Sequence, residues 1–258
     1  MLRAFMSLGN KNYLKSNKII LPAIAFLAYF GMAYSVGPQK VIPSLVTQAI
    51  YVFFIMAAIA VTYCDSEHEV LEQILIMKAG NNNKPLIYIS KILVLSRILA
   101  IMTIISTAYP FFRYYFGFSG LFDRSPGILD AILGIVVIFE FGFLGLLIGL
   151  IFNQTWLHSR KAQICIIVLI ALLAVIQNRV VEDIFALRFI IWIIPPISSI
   201  SQQINLNEYV SINVFWALGK GFIYCVVYVF LYLAIMLKLS VRSNRGRRSI
   251  IGVNRKHK

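Results

Sequence analysis

Six apolar stretches dominate this chain and constrain its fold more than any other feature. They run over 19–36, 43–63, 92–112, 128–152, 164–177 and 217–237. A helix needs about 20 mostly apolar residues to cross a hydrocarbon core about 30 Å thick. Most of the stretches meet that length; the fifth is short as drawn and is expected to extend past its limits. Hydrophobic residues make up 60% of the 258 and charged residues 13%. A soluble domain of this size has too little interior to hide that much apolar surface. Nothing long and polar is left over, so residues 1–258 read as a single membrane domain. The expected fold is all-α: six transmembrane helices, an interfacial N-terminal helix, and a re-entrant or interfacial outer segment between spans five and six.

The net charge of +14 would suggest nucleic acid in a soluble protein. Here topology explains it better. With both termini inside, the inner segments hold 17 of the 24 Lys and Arg residues, eight of them in the tail 238–258. The outer segments hold five: Lys40, Arg113, Arg124, Arg179 and Arg188. Arg97 and Lys220 fall in spans. Lys and Arg concentrate on the cytosolic side of membrane proteins, so the expectation is N-in, C-in. The basic tail would lie against anionic lipid, each charge near the surface contributing about 1 kcal/mol. No nucleic-acid partner is expected. The 18 residues before the first apolar stretch, with Lys11, Lys15 and Lys18, are too many for a signal-peptide n-region and the stretch itself is long, so it reads as a retained span.

Enzymatic chemistry is not indicated. The sequence has no GxxxxGK[ST] phosphate loop, the motif that cradles nucleotide phosphates. His68, His158 and His257 are dispersed, with no HExxH pattern. Cys64, Cys165 and Cys225 are scattered in or beside spans with no CxxC spacing and read as small packing residues.

Four segments carry more specific expectations. Residues 2–15 place Leu2, Phe5, Met6, Tyr13 and Leu14 among Arg3, Lys11 and Lys15, the pattern of an amphipathic interfacial helix, with Gly9-Asn10 as the expected break. Within 64–91, residues 65–79 read DSEHEVLEQILIMKA. Val70, Leu71 and Ile74 recur at helical spacing. Asp65, Glu67, Glu69 and Glu72 crowd the first half, where the helix dipole favours acids. Gly80 and the three asparagines after it stop the helix. This is either a solvated helix or a docking helix for another subunit. Residues 178–210 begin polar, turn apolar over 189–194 and break at Pro195-Pro196; the apolar part is too short to span.

The fourth apolar stretch holds Gly134, Gly142, Gly145 and Gly149 near one helical stripe, the last two as GxxxG, which marks a packing face in lipid. Glu140 lies deep in the same stretch. A charge at that depth costs about 2.5–3.5 kcal/mol on insertion scales. It points away from the glycine stripe, which leaves open a structural pairing role or a place on a transport pathway.

The 64–91 segment resembles that of type-2 ABC exporter permeases. In that family a cytosolic helix with Glu residues leads to a Leu-rich stretch, a polar turn and a Lys at the start of the third span. The matching residues here are Glu67, Glu69, Leu71, Glu72, Leu75, Lys84 and Lys91. The family's Gly-Thr before the Leu-Glu pair is replaced by Glu69-Val70, and its Pro-x-Ser-Arg turn by Gly80–Lys84. The resemblance covers the whole chain as architecture and about 30 residues as motif. It implies a multi-pass protein of the bacterial plasma membrane. It also implies a second copy or a related permease as partner, and a separate ABC ATPase subunit that holds ATP and Mg. Glu67, Glu69, Val70, Leu71, Glu72 and Ile74 would dock that ATPase. The cargo would be an amphipathic peptide, a lipid, a drug or a similar molecule. The alternative is an ion-coupled carrier with Glu140 and Arg97 as coupling groups, although no internal repeat of broken helices supports it. A membrane enzyme or assembly factor would need a site that the sequence does not offer.

Overall fold

The computed structural model describes residues 2–66, 84–117, 120–152, 159–183, 194–206 and 211–254. They form eight α-helices: α1 Leu2–Lys15, α2 Ile20–Ala33, α3 Val41–Ser66, α4 Lys84–Phe116, α5 Ile128–Ile151, α6 Arg160–Asp183, α7 Ile197–Asn205 and α8 Ile212–Asn254. The one β-bridge among the described residues joins Gln39 to Phe122. Five helices are long and apolar enough to cross a membrane: α3, α4, α5, α6 over Arg160–Asn178 and α8 over Ile212–Lys238. Helices α1 and α2, bent by 76°, together make a sixth candidate. This is an all-α membrane protein.

The polarity of the surface is inverted relative to a soluble bundle. Leu21, Ile24 and Leu27 line one exposed stripe of α2, and Ile128, Leu129, Ile132 and Ile135 line one of α5. Exposed apolar area on this scale calls for lipid rather than water. The most buried elements are α3 and α5, which run parallel and make the most extensive contact in the molecule. Their register follows from small residues. A Cβ at Gly145 would collide with the Phe53 carbonyl oxygen, and one at Gly149 would come within 2.6 Å of the Ala57 oxygen and the Ala60 Cβ. A Cβ at Gly142 would run into Leu99 of α4. Without those atoms the backbones can approach closely, which is the main source of helix attraction in lipid.

Polar anchors fix the two ends. At one end α1 lies across α3 and α4. Tyr13 Oη is 2.9 Å from Thr62 Oγ1, Lys18 Nζ donates to the Asp65 carbonyl oxygen at 2.6 Å, and Arg160 pairs with Asp65 at 3.0 Å. At the other end Arg124 makes a two-pronged bond to Asp130, at 2.7 and 2.8 Å, and Gly127 N–H donates to the same carboxylate at 2.8 Å. Gln39 bridges there as well, its N–H donating to Leu121 O at 2.8 Å. Between the ends, Tyr34 Oη donates to Gln48 Oε1 at 2.9 Å, and Gln48 Nε2 donates to Ser106 O at 2.7 Å, so a buried polar side chain in α3 is satisfied from α4 and from the end of α2.

Several boundaries differ from the sequence expectation. Helix α1 does not break at Gly9-Asn10. Gly9 is buried where the helix meets the Tyr63 hydroxyl, so it serves close approach and not termination. The break falls later, at Asn17, whose φ of 55° turns the chain from α1 into α2; Asn is one of the few non-glycine residues that adopts this conformation readily. The first apolar stretch becomes a 14-residue helix, about 21 Å long at 1.5 Å per residue, and is shorter than a full crossing. The fifth apolar stretch extends past its limits, as expected, into the 24-residue α6, which takes in Arg160, Lys161, Asn178 and Arg179. The start of the 178–210 segment is therefore helix α6. Part of its polar stretch is α7, with Ile197, Ile200 and Ile204 buried. The basic tail continues α8 without a break.

Candidate functional site

The site is built on the face of α5 opposite its glycine stripe. Residues 142, 145 and 149 turn toward α3 and α4. Glu140 turns toward α8, where its Oε1 and Cδ press against Gly221. A Cβ at Gly221 would occupy the carboxyl's place, so the glycine forms the notch that receives it. Ile200 of α7 closes the same notch, 3.1 Å from where that Cβ would stand. Cys225, one turn further along α8, directs its thiol toward the Glu140 carbonyl oxygen at 3.8 Å.

Glu140 is 7% exposed, and its Oε1 has no hydrogen-bond partner among the described residues. The partnerless oxygen is costly, because a buried polar atom without a partner retains its full desolvation penalty. Arg97 does not provide a partner. It sits on the exposed side of α4, since Leu99, two residues on, faces Gly142. Glu140 is the thirteenth residue of the 24-residue α5, about 18 Å from its start and close to its midpoint.

Beside Glu140, between α5 and α8, lies a groove of about 780 Å³. Phe139, Phe143, Phe215 and Phe222 contribute to its walls, Gly219 leaves a gap in them, and Glu140 adjoins it with its carboxyl oxygen buried against Gly221. Drug-sized ligand sites span about 300–1,000 Å³ and combine apolar walls with a few polar groups. This groove has the volume and the apolar walls but offers almost no accessible polar group. Among the described residues no group of three or more His, Cys, Asp or Glu side chains is arranged to hold a metal.

The remaining site expectations divide in two. Gly142, Gly145 and Gly149 lie together on the α3 interface. Glu67, Glu69, Val70, Leu71, Glu72 and Ile74 lie outside the described residues. Gly221 and the groove were missed from sequence. The available signal was the Gly219–Lys220–Gly221 pair in an apolar helix, which offers a notch for the one acid buried deep in another span. Set against known proteins, the chain matches no family model, no curated protein and no solved structure.

Proposed function

We propose that this chain is the membrane subunit of an ATP-driven exporter of the type-2 ABC class. In this reading it has six spans with both termini inside, it works as a pair with a second copy or a related permease, and a separate ATPase subunit binds residues 66–79. The observation that carries the reading is how the Glu-rich segment is hung. It leaves from the end of α3 and returns into α4. Its first residues are held by Lys18 and Arg160 on Asp65, and α1 lies across both helices at that end. Force applied to such a segment passes directly into α3, one of the two most buried helices of the bundle. The sequence supports the same reading: acidic and apolar residues interleave at helical spacing over 67–74, and the sequence has no phosphate loop to supply energy.

Docking would rest on Val70, Leu71 and Ile74, because buried apolar anchors carry most interface energy. Glu67, Glu69 and Glu72 would set register and steer encounter. Replacing Leu71 and Ile74 together with Asp should release the ATPase in a pull-down, or uncouple its hydrolysis from transport, while the bundle stays folded. A double variant that keeps full ATPase binding and full transport would reject the assignment.

A second reading has its own observation. The partnerless oxygen of Glu140 at mid-helix suits an ion-coupled carrier in which that carboxyl gains and loses a proton. Glu140→Gln transport assays with and without an ATPase partner separate the two. Loss of transport with no ATPase required favours the carrier.

A further inference from the structure

We propose that the pocket where α7 meets the start of α8 binds the phosphate of an anionic phospholipid, with Lys220 as its counter-charge and the acyl chains along the lipid-facing stripe of α8. The proposal does not depend on the exporter reading, because binding needs neither ATP nor a second subunit.

The pocket holds about 520 Å³ and is lined by Gln203 and Leu206 from the α7 side and by Asn213, Trp216 and Lys220 of α8. The last three are spaced three and four residues apart, which puts them on one stripe of the helix. All three are exposed, so a ligand meets them directly. Their chemistry is one-sided. The Asn213 amide, the Trp216 indole and the Lys220 ammonium all carry N–H donors. No acid lines the pocket, and among the described residues no acid pairs with Lys220. Such a site selects an anion that accepts several hydrogen bonds, as a phosphate does.

Depth selects a lipid over a soluble anion. The apolar span Ile212–Lys238 has 27 residues, about 40 Å against a hydrocarbon core of about 30 Å. Centred on that core, it projects about 5 Å at each end. Trp216 then falls at the boundary, where amphipathic rings concentrate. Lys220 lies one turn deeper, about 12 Å from the start of α8. A helical side chain leans toward the helix N-terminus, which here is the nearer surface. The Lys220 ammonium therefore rises toward the level of Trp216, its stem covered by lipid.

Beyond Lys220 the same stripe turns apolar, with Ile223, Val227 and Leu231 exposed. One face of α8 thus offers donors at headgroup level and hydrocarbon below it, the two halves of a phospholipid in order. A soluble phosphate would use the first half only. A choline headgroup would bring a second cation beside Lys220.

The test uses the full chain with Trp156 and Trp192 replaced by Phe, which leaves Trp216 as the one tryptophan. In nanodiscs, its quenching by phosphatidylglycerol brominated on the acyl chains is compared with quenching by brominated phosphatidylcholine. Half-maximal quenching should need about fivefold less of the glycerol lipid, the effect of one basic residue beside an anionic headgroup. Lys220→Met should abolish that preference and Lys220→Arg should keep it. Lys238→Met, at the far end of the span, should leave it unchanged. Thermal unfolding should be alike in all four, because the changed lysines lie outside the core. Native mass spectrometry of retained phosphatidylglycerol in the wild type and in Lys220→Met repeats the comparison without the Phe substitutions, and decides if these disturb the fold. Equal quenching by the two lipids, or a full preference in Lys220→Met, would overturn the proposal. Relief of quenching by millimolar glycerol phosphate would also overturn it and assign the pocket to a soluble anion. A shift from dimer to monomer in Lys220→Met, with no lipid preference before the change, would assign it to a second copy.

Discussion

Gly145 shows how finely single residues set this structure. Its missing Cβ is what allows α5 to lie against the Phe53 carbonyl, and a backbone oxygen cannot rotate away as a side chain can. Gly145→Ala should therefore lower stability by about 1–3 kcal/mol, the range for overpacking a filled core. Gly31→Ala, where an added Cβ meets nothing within 4 Å, should leave stability unchanged or raise it. Thermal unfolding in detergent checks both. The glycine stripe was legible in sequence because spacing alone puts residues 134, 142, 145 and 149 on one side of a helix. Its partner was not legible, since many apolar helices offer a surface and only the register with Ala57 and Ala60 selects α3. Gly9 shows the opposite limit. Sequence suggests a helix stop there, and the contact with Tyr63 that keeps the glycine inside a continuous helix comes from 54 residues away.

At the scale of elements, helix existence was legible and helix ends were not. Hydropathy marks where the bilayer stops, but the backbone can continue helical into water, as it does at both ends of α6 and beyond Lys238 in α8. The corner between α1 and α2 is a local feature with a clear test. Asn17 turns it at a φ of 55°. Asn17→Gly should preserve it, whereas Asn17→Val places a branched Cβ in the left-handed region at a cost of about 1–2 kcal/mol. Protease cleavage between residues 15 and 20 should rise in the valine variant alone.

The entry to α5 is a second local feature. Asp130 takes two bonds from Arg124 and one from Gly127 N–H. Its side chain is 5% exposed. Asp130→Ala should lose the cap and the two bonds from Arg124, with a cost of about 1–3 kcal/mol in detergent unfolding. Arg124→Ala paired with Asp130→Ala should recover part of that loss.

For the whole molecule, alternation of helix direction agrees with the charge distribution. Helices α3, α5 and α8 run one way and α2, α4 and α6 the other, as the pairings of Gly134 with Leu45, Gly142 with Leu99, Gly221 with Glu140, Tyr51 with Ala25 and Arg160 with Asp65 require. The end at which α1 lies is also the end from which residues 67–83 depart. Everything proposed about an ATPase depends on that end being cytosolic. Labelling of single cysteines, with Cys64, Cys165 and Cys225 replaced, tests this directly. Ser125→Cys marks the opposite end at an exposed position, Asn82→Cys marks the Glu-rich segment, and Ile250→Cys marks the basic tail. With a membrane-impermeant maleimide on intact cells, Ser125→Cys should label at once. Asn82→Cys and Ile250→Cys should label only after the membrane is opened. Labelling of Asn82→Cys in intact cells, or of Ser125→Cys and Ile250→Cys from the same side, would contradict the account.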